Sequence, residues 1–163
     1  SNMVQRLDEG MQSLAEVIKK TTGKDITNYP GAGAAGGMGG GLLAFFNAEL
    51  KPGTELLLKA IDFSEKIKGA DLIITGEGKA DQQTAMGKVP YGILKEAQKE
   101  HIPVIVLAGS IENLPELNKA GFKGIFSIAP GPITLEKAME PEFAKENITR
   151  LVSQLYSVIT SFG

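Results

Sequence analysis

Between Thr75 and Pro90 the chain reads Thr-Gly-Glu-Gly-Lys-Ala-Asp-Gln-Gln-Thr-Ala-Met-Gly-Lys-Val-Pro. The residue types suit a polyanionic ligand. Glycines let backbone N–H groups approach closely, lysines supply compact positive charge, and carboxylates hold Mg²⁺ or accept a proton. The stretch follows the apolar run Leu72-Ile73-Ile74 and leads into an amphipathic segment that begins near Pro90. A strand, a polar loop and a helix in that order place the loop where open α/β sheets bind ligands, just outside the carboxyl ends of the strands. Glu77, Asp81 and Lys88 are the candidate catalytic residues, with Glu77 and Asp81 also the candidate Mg²⁺ ligands. Thr75, Gly76, Gly78, Lys79, Gln83, Thr84 and Gly87 are candidates to bind substrate or phosphate.

Two familiar phosphate motifs do not account for this chain. The Walker loop requires Ser or Thr after Gly-Lys, whereas Gly78-Lys79 and Gly87-Lys88 are followed by Ala80 and Val89. Gly31-Ala32-Gly33-Ala34-Ala35-Gly36 matches the dinucleotide fingerprint letter for letter, but its context fails. Pro30 stands where a strand should be ending, and no acidic residue falls at a strand end about 20 residues on. The tract from Gly31 to Gly41 therefore reads either as close helix packing or as a loop whose N–H groups wrap a carboxylate or phosphate. On the second reading Gly33, Gly36 and Gly37 touch the anion. Leu107-Ala108-Gly109-Ser110 places small residues, Ser110 among them, at another strand end, and Ala129-Pro130-Gly131-Pro132 at a third. His101 reads as a solvated residue at a helix end.

These candidates need elements to hold them. Val4, Leu7, Met11, Leu14, Ala15 and Ile18 share one face of a helix over 3–20, and an apolar helix follows over 41–46. Pro52-Gly53 breaks the chain, and helical periodicity resumes over 54–68. Strands are then expected over 71–75, 103–107 and 124–128, and helices over 90–100, 134–139 and 142–162. A further helix, capped by Asn113 with Glu116, stops at Gly121. Strand–helix alternation with short connections implies βαβ units and an α/β fold with a three-layer parallel-sheet core. Three strands are few for a complete sheet, so either the sheet is small or partner strands lie outside this chain.

Composition narrows the function. The 163 residues hold 42% hydrophobic and 22% charged residues, as in a globular domain with a real core. A net charge of −2 without a basic cluster argues against a nucleic-acid or membrane-surface partner. The absence of cysteine excludes thiol chemistry, and a single histidine excludes a multi-histidine zinc site. No apolar run is long enough to span a bilayer, which is the expectation for a cytoplasmic protein. Ser1-Asn2 ahead of Met3 reads as a cloning scar. The remainder divides into a helical, glycine-rich segment over 3–53 and a Rossmann-like βαβ segment over 54–163.

The motifs together resemble the bacterial type I glycerate kinase family. The resemblance rests on Pro30 to Gly37, on Ala70 to Gly78, and on Asp81, Gln83-Thr84 and Gly87-Lys88-x-Pro90. Leu107 to Ser110 and Ile128 to Pro132 match in the same order, so it runs over nearly all of 4–162. Lys79 and Ala80 depart from it, standing where the family often has Arg and a larger apolar residue; Lys keeps the charge but loses the planar fork. The resemblance implies ATP-dependent phosphorylation of D-glycerate to 2-phosphoglycerate with Mg²⁺. It also implies a two-domain α/β kinase with its site in the cleft, of which this chain is the C-terminal portion, completed by a missing N-terminal part. A homodimer stays open. The competing class is a non-catalytic module that binds an anion or a partner.

Overall fold

In the computed structural model, which describes residues 2–112 and 114–161, the chain divides into two compact units, Ser1–Pro52 and Gly53–Gly163. The N-terminal unit begins with helix α1, Asn2–Thr22, which buries Ala15 and Ile18. These pack with Ile26 and with Ala44 of helix α2, Ala34–Phe46. Lys24 closes α2: its ammonium donates to the carbonyls of Leu43 and Ala44 at 3.3 and 2.9 Å, placing positive charge at the negative end of the helix dipole.

The glycine tract departs from the sequence reading. Helical hydrogen bonding begins at Ala34 rather than Gly41, but Ala35, Gly36 and Gly37 have φ of 51°, 69° and 92°. Two of these three left-handed positions are glycines, the residue for which that conformation is unstrained. Further along, Gly39 and Gly40 are buried. A Cβ on Gly39 would strike the carbonyl oxygen of Gly31, and one on Gly40 would lie 2.8 Å from Ile26 Cδ1. This part of the tract serves close packing.

The C-terminal unit opens with α3, Gly53–Ala60, and α4, Phe63–Lys66. The single helix expected over 54–68 is broken by Asp62, whose φ is 50°. Then follow β1 (Ile73–Ala80), a 3₁₀ turn (Gln82–Ala85), α5 (Val89–Lys99), β2 (Val104–Ile111), α6 (Leu114–Ala120), β3 (Gly124–Ser127), α7 (Leu135–Ala138) and α8 (Pro141–Thr160). Asn113, expected to cap α6, and Phe162, expected at the end of the last helix, lie outside the described residues.

The sheet is parallel throughout, in the order β1-β2-β3. Central β2 is buried on both faces, as a parallel strand between crossovers should be. Val104, Val106 and Ala108 join Leu94 and Ala97 of α5, Leu117 of α6 and Phe122 in one core, while Ile105 and Leu107 are buried on the other face. Both β1 and β2 run longer than their apolar residues suggested. Backbone pairing continues through Glu77↔Ala108 and Lys79↔Ser110 to Ala80↔Ile111. Glu77, Gly78, Lys79 and Ser110 are therefore strand residues, not loop residues. Among the described residues no helix is long and apolar enough to cross a membrane.

Candidate functional site

The 3₁₀ turn after β1 is built by its own polar side chains. Asp81 caps it, Oδ1 accepting from the backbone N–H of Gln83 at 2.9 Å and of Thr84 at 3.3 Å. Thr84 answers: its hydroxyl oxygen accepts from the N–H of Asp81 at 3.0 Å, a reciprocal capping box. The same hydroxyl donates to Glu77 Oε2 at 2.7 Å. The turn thus holds both carboxylates at the carboxyl end of β1.

Lys88 completes the cluster from the N-cap position of α5. Its ammonium lies 3.2 Å from Glu77 Oε1 and 3.2 Å from Asp81 Oδ1. The Glu77 side chain is 16% exposed, Asp81 22% and Lys88 32%, so the group is half sheltered yet open to a ligand. Partial burial opposes ionisation of Asp81, but the hydrogen bond and charge of Lys88 and two backbone N–H donors outweigh it, leaving the carboxyl below its usual range. Burial likewise disfavours the charged form of Lys88, and the two carboxylates outweigh it to raise the ammonium above its usual value.

Other candidates fall elsewhere. Lys79 pairs with Glu112 at 2.8 Å across the ends of β1 and β2, an exposed contact that directs it to a partner unnoticed in the sequence. Glu112 follows directly after β2, and its signal was its position one residue beyond a strand end. Thr75 is buried within β1, and Gly76, Gly78, Gln83, Gly87 and Ser110 are exposed. Gly33, Gly36 and Gly37 belong to the N-terminal unit. There Gly33 and Gly37 line a cleft of about 590 Å³ that also presents Asp8, Glu16 and Asp25, with Lys19 bonded to Asp25. That excess of carboxylates does not favour an anion.

A parallel α/β sheet with a carboxylate–lysine cluster at a strand's carboxyl end is the layout of a ligand-binding α/β domain. Comparison with known proteins makes this specific. The glycerate kinase family profile matches residues 1–160, and the chain belongs to that family. It is 41% identical over 157 residues to a glycerate kinase of Bacillus cereus, covering 96% of this chain and 41% of the relative. It is 42% identical over 149 residues to glycerate 2-kinase of Escherichia coli, covering 91% and 39%. A crystal structure assigned to glycerate kinase 2 of Salmonella typhimurium superposes with a TM-score of 0.70 at 34% identity, covering 99% of this chain and 40% of that one. The chain thus spans about two fifths of the length of these relatives.

Proposed function

We propose that this chain carries the phosphoryl-transfer residues of a glycerate kinase, acting with ATP on the 2-hydroxyl of D-glycerate to give 2-phosphoglycerate. The observation that carries the reading is the convergence of Glu77, Asp81 and Lys88 at the end of β1 in a chain of this family. The relative from Escherichia coli, named a glycerate 2-kinase, supports the 2-hydroxyl as acceptor.

In this reaction the glycerate hydroxyl oxygen bonds to the γ-phosphorus, the bond to the bridging oxygen breaks, and ADP leaves. Lys88 draws a γ-phosphate oxygen by point charge, aided by the positive end of the α5 dipole, at whose N-cap it stands. Asp81, kept ionised by its N–H donors, takes the hydroxyl proton. Glu77 holds its place beside it.

The donor set fits Mg²⁺. Glu77 Oε1 and Asp81 Oδ1 already point at one cation, the Lys88 ammonium, and they are hard oxygen donors. Among the described residues no cluster of three or more acidic or histidine ligands occurs, but Mg²⁺ in kinases commonly takes one or two carboxylates and completes its shell with phosphate and water. When bound it neutralises charge on the phosphates.

The rest of the enzyme is expected to supply further ligands and to cover apolar surface such as Phe45 and Phe46, which are 63% and 76% exposed. The isolated chain is accordingly expected not to turn over. In the complete enzyme, Lys88→Ala should lower kcat for D-glycerate with MgATP by about 100-fold or more. Parental activity in that variant, measured by release of ADP, would remove the basis for the assignment.

A further inference from the structure

We infer that Thr84 is a positioning residue, one that fixes the Glu77 and Asp81 carboxylates relative to each other and does not itself touch phosphate. The inference rests on the reading of Glu77, Asp81 and Lys88 as the chemical centre. Thr84 is fully buried, with no exposed surface. A hydroxyl has one proton to donate, and this one is committed to Glu77 Oε2 at 2.7 Å. Its oxygen accepts from Asp81 N at 3.0 Å, while its own N–H donates to Asp81 Oδ1 at 3.3 Å. Every polar group of Thr84 but its carbonyl is thus spent on the two carboxylate residues. No donor is left for a phosphate.

The consequence for Glu77 is asymmetry between its oxygens. Oε2 is tied to the buried hydroxyl, which leaves Oε1 aimed at Lys88, 3.2 Å away. Glutamate has several rotatable bonds, and without the tie its carboxylate would sample rotamers that leave the cluster. Threonine suits the task because branching at Cβ restricts χ1. Geometry of this kind weighs on turnover more than on binding, because near-attack alignment is what a catalytic carboxylate contributes.

The test uses the complete enzyme with Thr84→Val, Thr84→Ser, Glu77→Gln and the Thr84→Val/Glu77→Gln double variant, measuring kcat and KM for ATP and D-glycerate. Thr84→Val keeps the volume and removes the hydroxyl; it should lower kcat roughly 10- to 100-fold with KM changed less than about threefold. Thr84→Ser should recover most of the rate. In the Glu77→Gln background Thr84→Val should subtract almost nothing, the signature of residues acting as one unit. Three results overturn the inference while leaving the site intact: parental kcat in Thr84→Val, a rise in KM alone, or full additivity with Glu77→Gln. Parental kcat in both Glu77→Gln and Lys88→Ala would instead overturn the site, and the inference with it. Should Thr84→Val not fold, Thr84→Cys carries the same comparison against Thr84→Ser, since a thiol is a weak donor.

Discussion

Gly109 gives a direct route from sheet packing to the site. It sits in β2 beside Gly78, the neighbour of Glu77, and a Cβ there would lie 2.7 Å from the Gly78 carbonyl oxygen. The obstacle is backbone, so no side chain can swing aside. To reach the 3.4 Å of ordinary contact, β1 and β2 must part by about 0.7 Å in Gly109→Ala. Overpacking of this kind costs typically about 1–3 kcal/mol. For a chain of this length that corresponds to a melting temperature lower by roughly 2–12 °C. Because the displaced segment carries Glu77, kcat of the complete enzyme should fall about 10- to 100-fold, in line with the effect of sub-ångström to ångström misplacement. Thermal unfolding by circular dichroism and a steady-state kinase assay read the two effects, with Gly131→Ala, where nothing lies within 4 Å, as control. A Gly109→Ala protein that melts and turns over like its parent would refute the claim that β1 and β2 are clamped at this point.

Asp81 predicts a pH dependence. Its folded-state pKa is depressed, so its contribution to stability is complete above the unfolded value near 4 and is lost as pH falls through the lower folded value. Asp81→Asn keeps a cap for the 3₁₀ turn but removes the charge. The gap in melting temperature between parent and variant should therefore narrow below about pH 4, and a gap constant from pH 7 to 3 would assign the effect to another group. In the N-terminal unit, Gly10 lies within α1 with open space around its Cβ position. Gly10→Ala should stabilise that unit by about 0.5–1 kcal/mol, read from urea unfolding, and destabilisation would show that the position is crowded.

Much of this was legible in the sequence, and the reasons are local. The β2 run Pro103 to Leu107 is β-branched and apolar, as a buried parallel strand between two helices should be. Glu77, Asp81 and Lys88 stood out by type and by their place between a strand and a helix. What the pattern hid was backbone pairing without apolar side chains. Glu77 pairs with Ala108 and Lys79 with Ser110 through main-chain groups, for which hydrophobic periodicity carries no signal. The break at Asp62 was hidden likewise, since an aspartate in the left-handed region has no periodic signature. The partnership of Thr84 with Glu77 spans seven residues and depends on how the 3₁₀ turn folds back on β1, which only tertiary structure reveals.

The cluster is poorly explained as a stabilising device. Lysine at a helix N-cap faces the positive end of the dipole, where Ser, Asp or Asn would serve the helix better. Partly exposed ion pairs contribute little, about 0–1 kcal/mol each, so Glu77 and Asp81 offset that placement without making it favourable for the fold. Of the three charges Asp81 serves the fold as cap of the 3₁₀ turn, but a sequence shaped by stability alone would not have set a lysine at the N-cap of α5. Their formal sum leaves one negative charge in excess. If Lys88 turns toward an arriving phosphate, two carboxylates are left facing each other, a charge that one divalent cation balances. The unfavourable siting of Lys88 thus agrees with the cation–phosphate chemistry proposed for the site, in which the lysine offsets part of the carboxylate charge until the ligands come.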